Sequence, residues 1–202
     1  TLLKIAQQYP EYPVLLTGHS LGGAAAMLLY LMMLRSEEYQ DVVKRTKVFA
    51  FAAPRPILRK SYLQLLAASK AGKLPTNIEN CCVTVVNNKD LVPRLPPPAS
   101  GIGLIGAARH LLKKLLGGGV AGGVSEGALG YVHVGRVLSL AEGEDLRLTG
   151  SLEYEPTVRS EKKNFKKVHD EAYHQYLIHE QKATVADVLQ NAFFEQNETP
   201  KW

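Results

Sequence analysis

Apolar and polar positions along the chain fall into helical and strand-like segments that alternate. Leu2 to Tyr9 carries apolar residues at helical spacing and stops at Pro10. Val14 to Thr17 is a short β-favouring run after Pro13, and it leads straight into Gly18-His19-Ser20-Leu21-Gly22. From Leu21 to Arg35 the chain is rich in Ala, Leu and Met, small residues first and large ones later, which predicts a buried helix. Lys47 to Ala53 reads as a buried strand closed by Pro54-Arg55-Pro56, and Ser61 to Ser69 as an amphipathic helix. Cys81 to Val86 is a continuous apolar run of the parallel-sheet kind, emptying into the turn-rich Asn87-Asn88-Lys89-Asp90. Tyr131 to Leu140 and Leu146 to Thr149 read as a strand pair turned at Glu142-Gly143-Glu144. A charged loop from Arg159 to Lys167 leads to a polar helix from about Asp170 to Gln181, and a last helix spans Thr184 to Phe194 with Thr184 as its cap. Strands alternating with helices predict an α/β fold with a largely parallel sheet and flanking helices.

One stretch breaks this rhythm. Residues 96–130 form a Gly/Pro-rich insertion around Leu104 to Leu116, in which leucines share one side and Arg109, His110, Lys113 and Lys114 gather on the other. A basic helix with a leucine face can lie in a membrane interface; it can equally pack on its own domain, or the segment can be a loop. Residues 196–202 read as a tail, and no internal repeat is visible.

Composition narrows the class. With 202 residues, 46% of them hydrophobic and 21% charged, the chain has the balance of a soluble globular protein, which argues against a disordered or polytopic membrane protein. The longest nearly uncharged run, Leu21 to Leu34, falls short of the roughly 20 apolar residues that a bilayer span needs. Net charge is +5, and no Arg/Lys stripe with interleaved aromatics occurs, so nucleic acid is not an expected partner. The only cysteines, Cys81 and Cys82, are adjacent and badly placed for a mutual disulfide; they read as buried thiols and mildly favour a reducing compartment such as the cytoplasm. No Cys/His quartet with metal spacing is present, and neither a metal nor a cofactor is expected. The chain starts without Met inside a helical pattern, which reads as a fragment lacking its N-terminal part, so the missing leader says nothing of secretion.

The chemistry centres on Ser20. A serine hydroxyl is a weak nucleophile until a base takes its proton and a turn exposes its oxygen. The glycines flanking Ser20, with strand before and helix after, supply such a turn by letting the two elements approach closely. The Leu21 N–H, at a helix N-terminus, can donate to an oxyanion. Asp90 sits at the C-terminal end of a parallel strand, where active-site groups of open α/β sheets collect.

Thr17-Gly18-His19-Ser20-Leu21-Gly22-Gly23-Ala24 resembles the nucleophile turn of class 3 lipases, which have the α/β-hydrolase fold. Phe51-Ala52-Ala53-Pro54-Arg55 is similar to the family's Phe-Gly-Ser-Pro-Arg, Val86 to Pro96 to its loop with an aspartate before Val-Pro-Arg, and Tyr131-Val132-His133-Val134-Gly135 to the strand that follows. The resemblance implies a partial α/β-hydrolase lipase domain over residues 1–195. It also implies Ser20 as nucleophile, Asp90 as acid, and a base in a loop before the last helices, often followed by a tyrosine four or five residues on. His169, with Tyr173 after it, fits that description; His174, inside the helix, is the alternative. His19 is expected to point away from Ser20, and His133 to be structural. The implied reaction is hydrolysis of lipid carboxylic esters, triacylglycerol or diacylglycerol, through an acyl-enzyme at Ser20, with the second oxyanion donor and the lid upstream of Thr1. A phospholipase or galactolipase of the same type, or a catalytically silent lipid-binding or scaffold protein, is the other reading.

If Leu104 to Leu116 docks on lipid, deleting residues 101–128 should reduce hydrolysis of vesicle-borne esters more than hydrolysis of a soluble short-chain ester. Equal losses on the two substrates would contradict it.

Overall fold

The computed structural model describes residues 2–95, 130–140, 147–154, 167–171 and 173. The insertion helix Leu104 to Leu116, His110, His174, His179 and the helix Thr184 to Phe194 lie outside the described residues. In chain order the elements are α1 (Leu2–Gln8), β1 (Val14–His19), α2 (Leu21–Leu34), α3 (Gln40–Lys44), β2 (Thr46–Phe51), β3 (Ile57–Leu58), α4 (Arg59–Lys70), β4 (Cys82–Asn87), β5 (Tyr131–Val132), β6 (Arg136–Leu140) and β7 (Arg147–Gly150). The main sheet runs β1-β2-β4-β6-β7; its first three pairings are parallel, and β6 with β7 is antiparallel. β3 and β5 form a separate antiparallel pair. The alternation of strands with α2 and α4 is the expected α/β architecture.

The sheet carries a core on each face. On one side α2 lays Met27, Tyr30 and Met33 over Val48, Ala50 and Cys82. On the other, Phe49, Val83 and Val85 meet Leu138, Leu140 and Tyr173. The period-2 alternation of a strand produces this division: along β2, Val48 and Ala50 face α2 while Phe49 faces away. Each such fully buried side chain contributes about 1.5–3 kcal/mol.

Two expectations need correction. α2 is not buried all round: Leu21, Leu28, Leu29 and Met32 are exposed, because the helix lies on one face of the sheet and only its Ala24, Met27, Tyr30 and Met33 side reaches it. The predicted strand Tyr131 to Leu140 is broken into β5 and β6 at His133-Val134-Gly135. Gly135 has φ +77, and a Cβ there would collide with the Cys82 backbone carbonyl, so the chain bends where only glycine fits. The expected pairing of the following strands is present as β6 with β7. Among the described residues no helix is long and apolar enough to cross a membrane.

The break places His133 in the interior, where its Nε2–H donates to the Pro93 carbonyl at 3.0 Å and so braces the loop that follows β4. Burial, with the Arg55 charge second, lowers its pKa to about 3. In the unfolded chain a histidine titrates near 6.5, so between these values the unfolded state binds the extra proton, and stability falls as pH falls from about 6.5 toward 3. The expected slope from this group is up to about 1.4 kcal/mol per pH unit. Urea unfolding at pH 7 and pH 5 should show that loss in the wild type and a smaller one in His133→Gln; parallel losses would contradict the assignment.

Candidate active site

Ser20 occupies the single position between β1 and α2, with φ 55 and ψ −125. A non-glycine residue seldom adopts positive φ, and such strain of about 1–3 kcal/mol persists only where the surroundings impose it. Here they do so from both sides. The Ser20 N–H donates to the Phe51 carbonyl at 2.8 Å, and the Ser20 carbonyl accepts from Gly23 N–H at 3.1 Å and Ala24 N–H at 3.3 Å. The glycines act somewhat differently from the sequence expectation. A Cβ on Gly18 would strike the Gly22 backbone, and one on Gly23 would lie 2.8 Å from the Gly18 carbonyl oxygen and 2.9 Å from the Ala53 Cβ; a Cβ on Gly22 meets nothing. Gly18 and Gly23, rather than Gly18 and Gly22, are therefore the pair that lets helix and strand close up.

The turn aims the Ser20 hydroxyl at His169. Ser20 Oγ lies 3.0 Å from His169 Nε2, and His169 Nδ1 lies 2.8 Å from Asp90 Oδ2. A carboxylate can only accept, so Nδ1 carries the proton, and in the neutral imidazole Nε2 is then free to accept from the serine hydroxyl. His169 and Asp90 are both buried. The structure thus brings together three sequence-predicted residues, Ser20, Asp90 and His169, that are separated by up to 149 positions. Leu21 is the first residue of α2, where a helix leaves its N–H groups without an intrahelical acceptor, as the oxyanion role requires. An apolar groove lined by Leu2, Ile5, Tyr9, Tyr12 and Val14 opens at the other end of β1 and takes no part in this arrangement.

The acid is held more firmly than the sequence indicates. Asp90 Oδ1 accepts from the Val92 N–H at 2.9 Å, and Oδ2 accepts from the Tyr173 hydroxyl at 2.9 Å as well as from His169. Tyr173 Oη in turn accepts from the Asn87 N–H at 2.9 Å. Burial, and then the Asp90 charge, push the Tyr173 phenol well above its ordinary pKa, so it remains a donor. Arg94 clasps the loop through its Nε, 3.1 Å from the Asp90 carbonyl oxygen, and through the Asn88 carbonyl.

Comparison with known proteins relates the N-terminal half of the chain to a family. Residues 1–100 match the family described as lipase (class 3). The chain is 38% identical over 112 residues to lipase A of Sodiomyces alcalophilus, covering 54% of this chain and 26% of that protein. It is 34% identical over 101 residues to a lipase of Rhizomucor miehei, covering 50% of this chain and 25% of that protein. Residues 1–100 belong to the class 3 lipase family. Its fold is that of the α/β-hydrolases: a crystal structure of a mutant MDLA from Penicillium cyclopium aligns with 83% of this chain and 49% of its own, at TM-score 0.51 and 20% identity. The chain spans about a quarter of the length of the curated relatives that it matches. The family match includes Ser20 and Asp90 and ends before His169, whose place in the site rests on geometry.

Two histidines differ from expectation. His169 is not in an open loop but within a wide helical turn, Lys167–Glu171, of the i→i+5 type that often marks functional sites. His19 does not face away from the site. Its ring centroid lies 4.7 Å from that of His169, and its Nε2 donates to the His169 carbonyl at 2.9 Å. The only sequence signal for the Tyr173 bond to Asp90 is its four-residue spacing from His169, which puts both on one side of a helical turn. For metals, His19, His169 and Asp170 bring ligand atoms within 4.8 Å of one another, but both His169 nitrogens already serve Asp90 and Ser20.

Asp90→Asn should lower turnover of a chromogenic ester by on the order of 10⁴-fold, because it stabilises the wrong imidazole tautomer. Tyr173→Phe, which removes one hydrogen bond to the acid, should lower turnover by roughly three- to tenfold. Steady-state kinetics on folded variants checks both; an Asp90→Asn enzyme with wild-type turnover would remove Asp90 from the site.

Proposed function

We propose that the protein hydrolyses carboxylic esters of lipids, triacylglycerol or diacylglycerol, through an acyl-enzyme on Ser20. The observation that carries this reading is the unbroken hydrogen-bonded path from Ser20 Oγ to His169 at 3.0 Å and on to Asp90 at 2.8 Å. As His169 Nε2 takes the hydroxyl proton, Ser20 Oγ attacks the ester carbonyl, and the carbonyl oxygen becomes an oxyanion to which the Leu21 N–H donates. Asp90 orients the imidazole and stabilises the imidazolium. The imidazolium then returns its proton to the departing alcohol. Water, deprotonated by the same nitrogen, releases the acid and restores Ser20. The lipid nature of the ester is supported by the names of the relatives, both lipases. Peripheral contact with a lipid surface through Leu104 to Leu116 belongs to the same proposal and rests on sequence.

A fluorophosphonate probe should label the intact protein on Ser20, and Ser20→Ala should abolish labelling. A folded wild-type protein that does not react would favour the silent scaffold reading instead.

A further inference from the structure

We propose that His19 is a positioning residue for the base, fixing the distance between Ser20 and His169; the proposal rests on the serine-hydrolase reading above. His19 is the last residue of β1 and the immediate neighbour of Ser20. Its Nε2 lies 2.9 Å from the backbone oxygen of His169, and because a carbonyl can only accept, Nε2 carries the proton and donates. The ring rests against that of His169, 4.7 Å between centroids at 50°, and meets the Tyr173 ring edge-on at 6.0 Å and 83°.

The location of that bond gives it its effect. The helical turn Lys167–Glu171 presents two consecutive carbonyls to the ends of two strands. The Val168 carbonyl accepts from Asn87 Nδ2 at 3.5 Å, and the His169 carbonyl accepts from His19. Asn87 ends β4, three residues before Asp90, and His19 ends β1, one residue before Ser20. The backbone that carries the base is therefore tied separately to the strand that positions the acid and to the strand that positions the nucleophile. The Asn87 bond is long, whereas the His19 bond has ordinary length. The side chain bonding is also exposed, so the ring is not needed to fill the core. A displacement of about 1 Å between reacting groups can cost on the order of 100-fold in rate, and a tie from the residue adjoining Ser20 restrains that separation.

The test uses His19→Gln, whose amide nitrogen can take the place of Nε2, and His19→Phe, which keeps a ring without the donor. In the intact protein, His19→Phe should lower kcat for a soluble ester and the rate of fluorophosphonate labelling by roughly tenfold, with KM within about twofold. His19→Gln should recover most of both rates. The low-field proton resonance of His169 Nδ1–H should shift or broaden in His19→Phe and stay near its wild-type position in His19→Gln. Should His19→Phe fail to fold, His19→Asn, with an amide too short to reach the carbonyl, must show the same loss. Wild-type rates in the Phe or Asn variant, or a Gln variant as slow as they are, overturn the inference alone. A wild-type protein that the probe does not label overturns the hydrolase reading and this inference with it.

Discussion

Everything in the site depends on how closely α2 can approach the end of β1. Gly18 and Gly23 leave no room for a side chain between the two elements, and their contact forces the one intervening residue into positive φ. That residue is Ser20. Its strained backbone is held by the Phe51 carbonyl from the neighbouring strand and by the first turn of α2. One steric constraint thus lifts the hydroxyl above the C-terminal edge of a parallel sheet and sets the first N–H groups of a helix beside it.

The partners of Ser20 arrive from the same edge by different routes. Asp90 follows β4 directly, and its carboxylate is fixed by a backbone N–H two residues on and by Tyr173. Its loop is braced from behind by Arg94 and by the His133 bond to the Pro93 carbonyl. His169 comes from much further along the chain, in the helical turn Lys167–Glu171, and is met there by bonds from Asn87, Asp90 and His19. The acid side of the site therefore combines local bonds from Val92 and Arg94 with distant ones from Tyr173 and His133, whereas the base side is assembled from long-range contacts to Asn87, Asp90 and His19.

This difference decides what could be read from the residues alone. The β1-turn-α2 unit, the Asp90 loop and the parallel sheet were legible because each depends on a short run: flanking glycines, an apolar stretch, a turn after it. The break at Gly135 was not legible, since the Cys82 carbonyl that demands glycine there lies 53 positions away, at 135 against 82. The exposed side of α2 is not legible in the sequence because the helix is apolar almost all round, and only its packing partners show which side is covered. The contact of His19 is hidden from the sequence for a related reason. Alternation along β1 says which way a side chain leaves the strand, but the His169 carbonyl that receives it belongs to a segment 150 positions distant. Between His169 and His174, spacing gave a preference, and the hydrogen bonds of His169 to Ser20 and Asp90 supply the geometry behind it.

The most direct measurement is a crystal structure of the protein after reaction with a phosphonate probe. The expected adduct has phosphorus bonded to Ser20 Oγ, His169 Nε2 within hydrogen-bonding distance of that oxygen, Asp90 on His169 Nδ1, and the Leu21 N–H directed at a phosphonyl oxygen. An adduct on another residue, or one on Ser20 faced by His174 in place of His169, would contradict it.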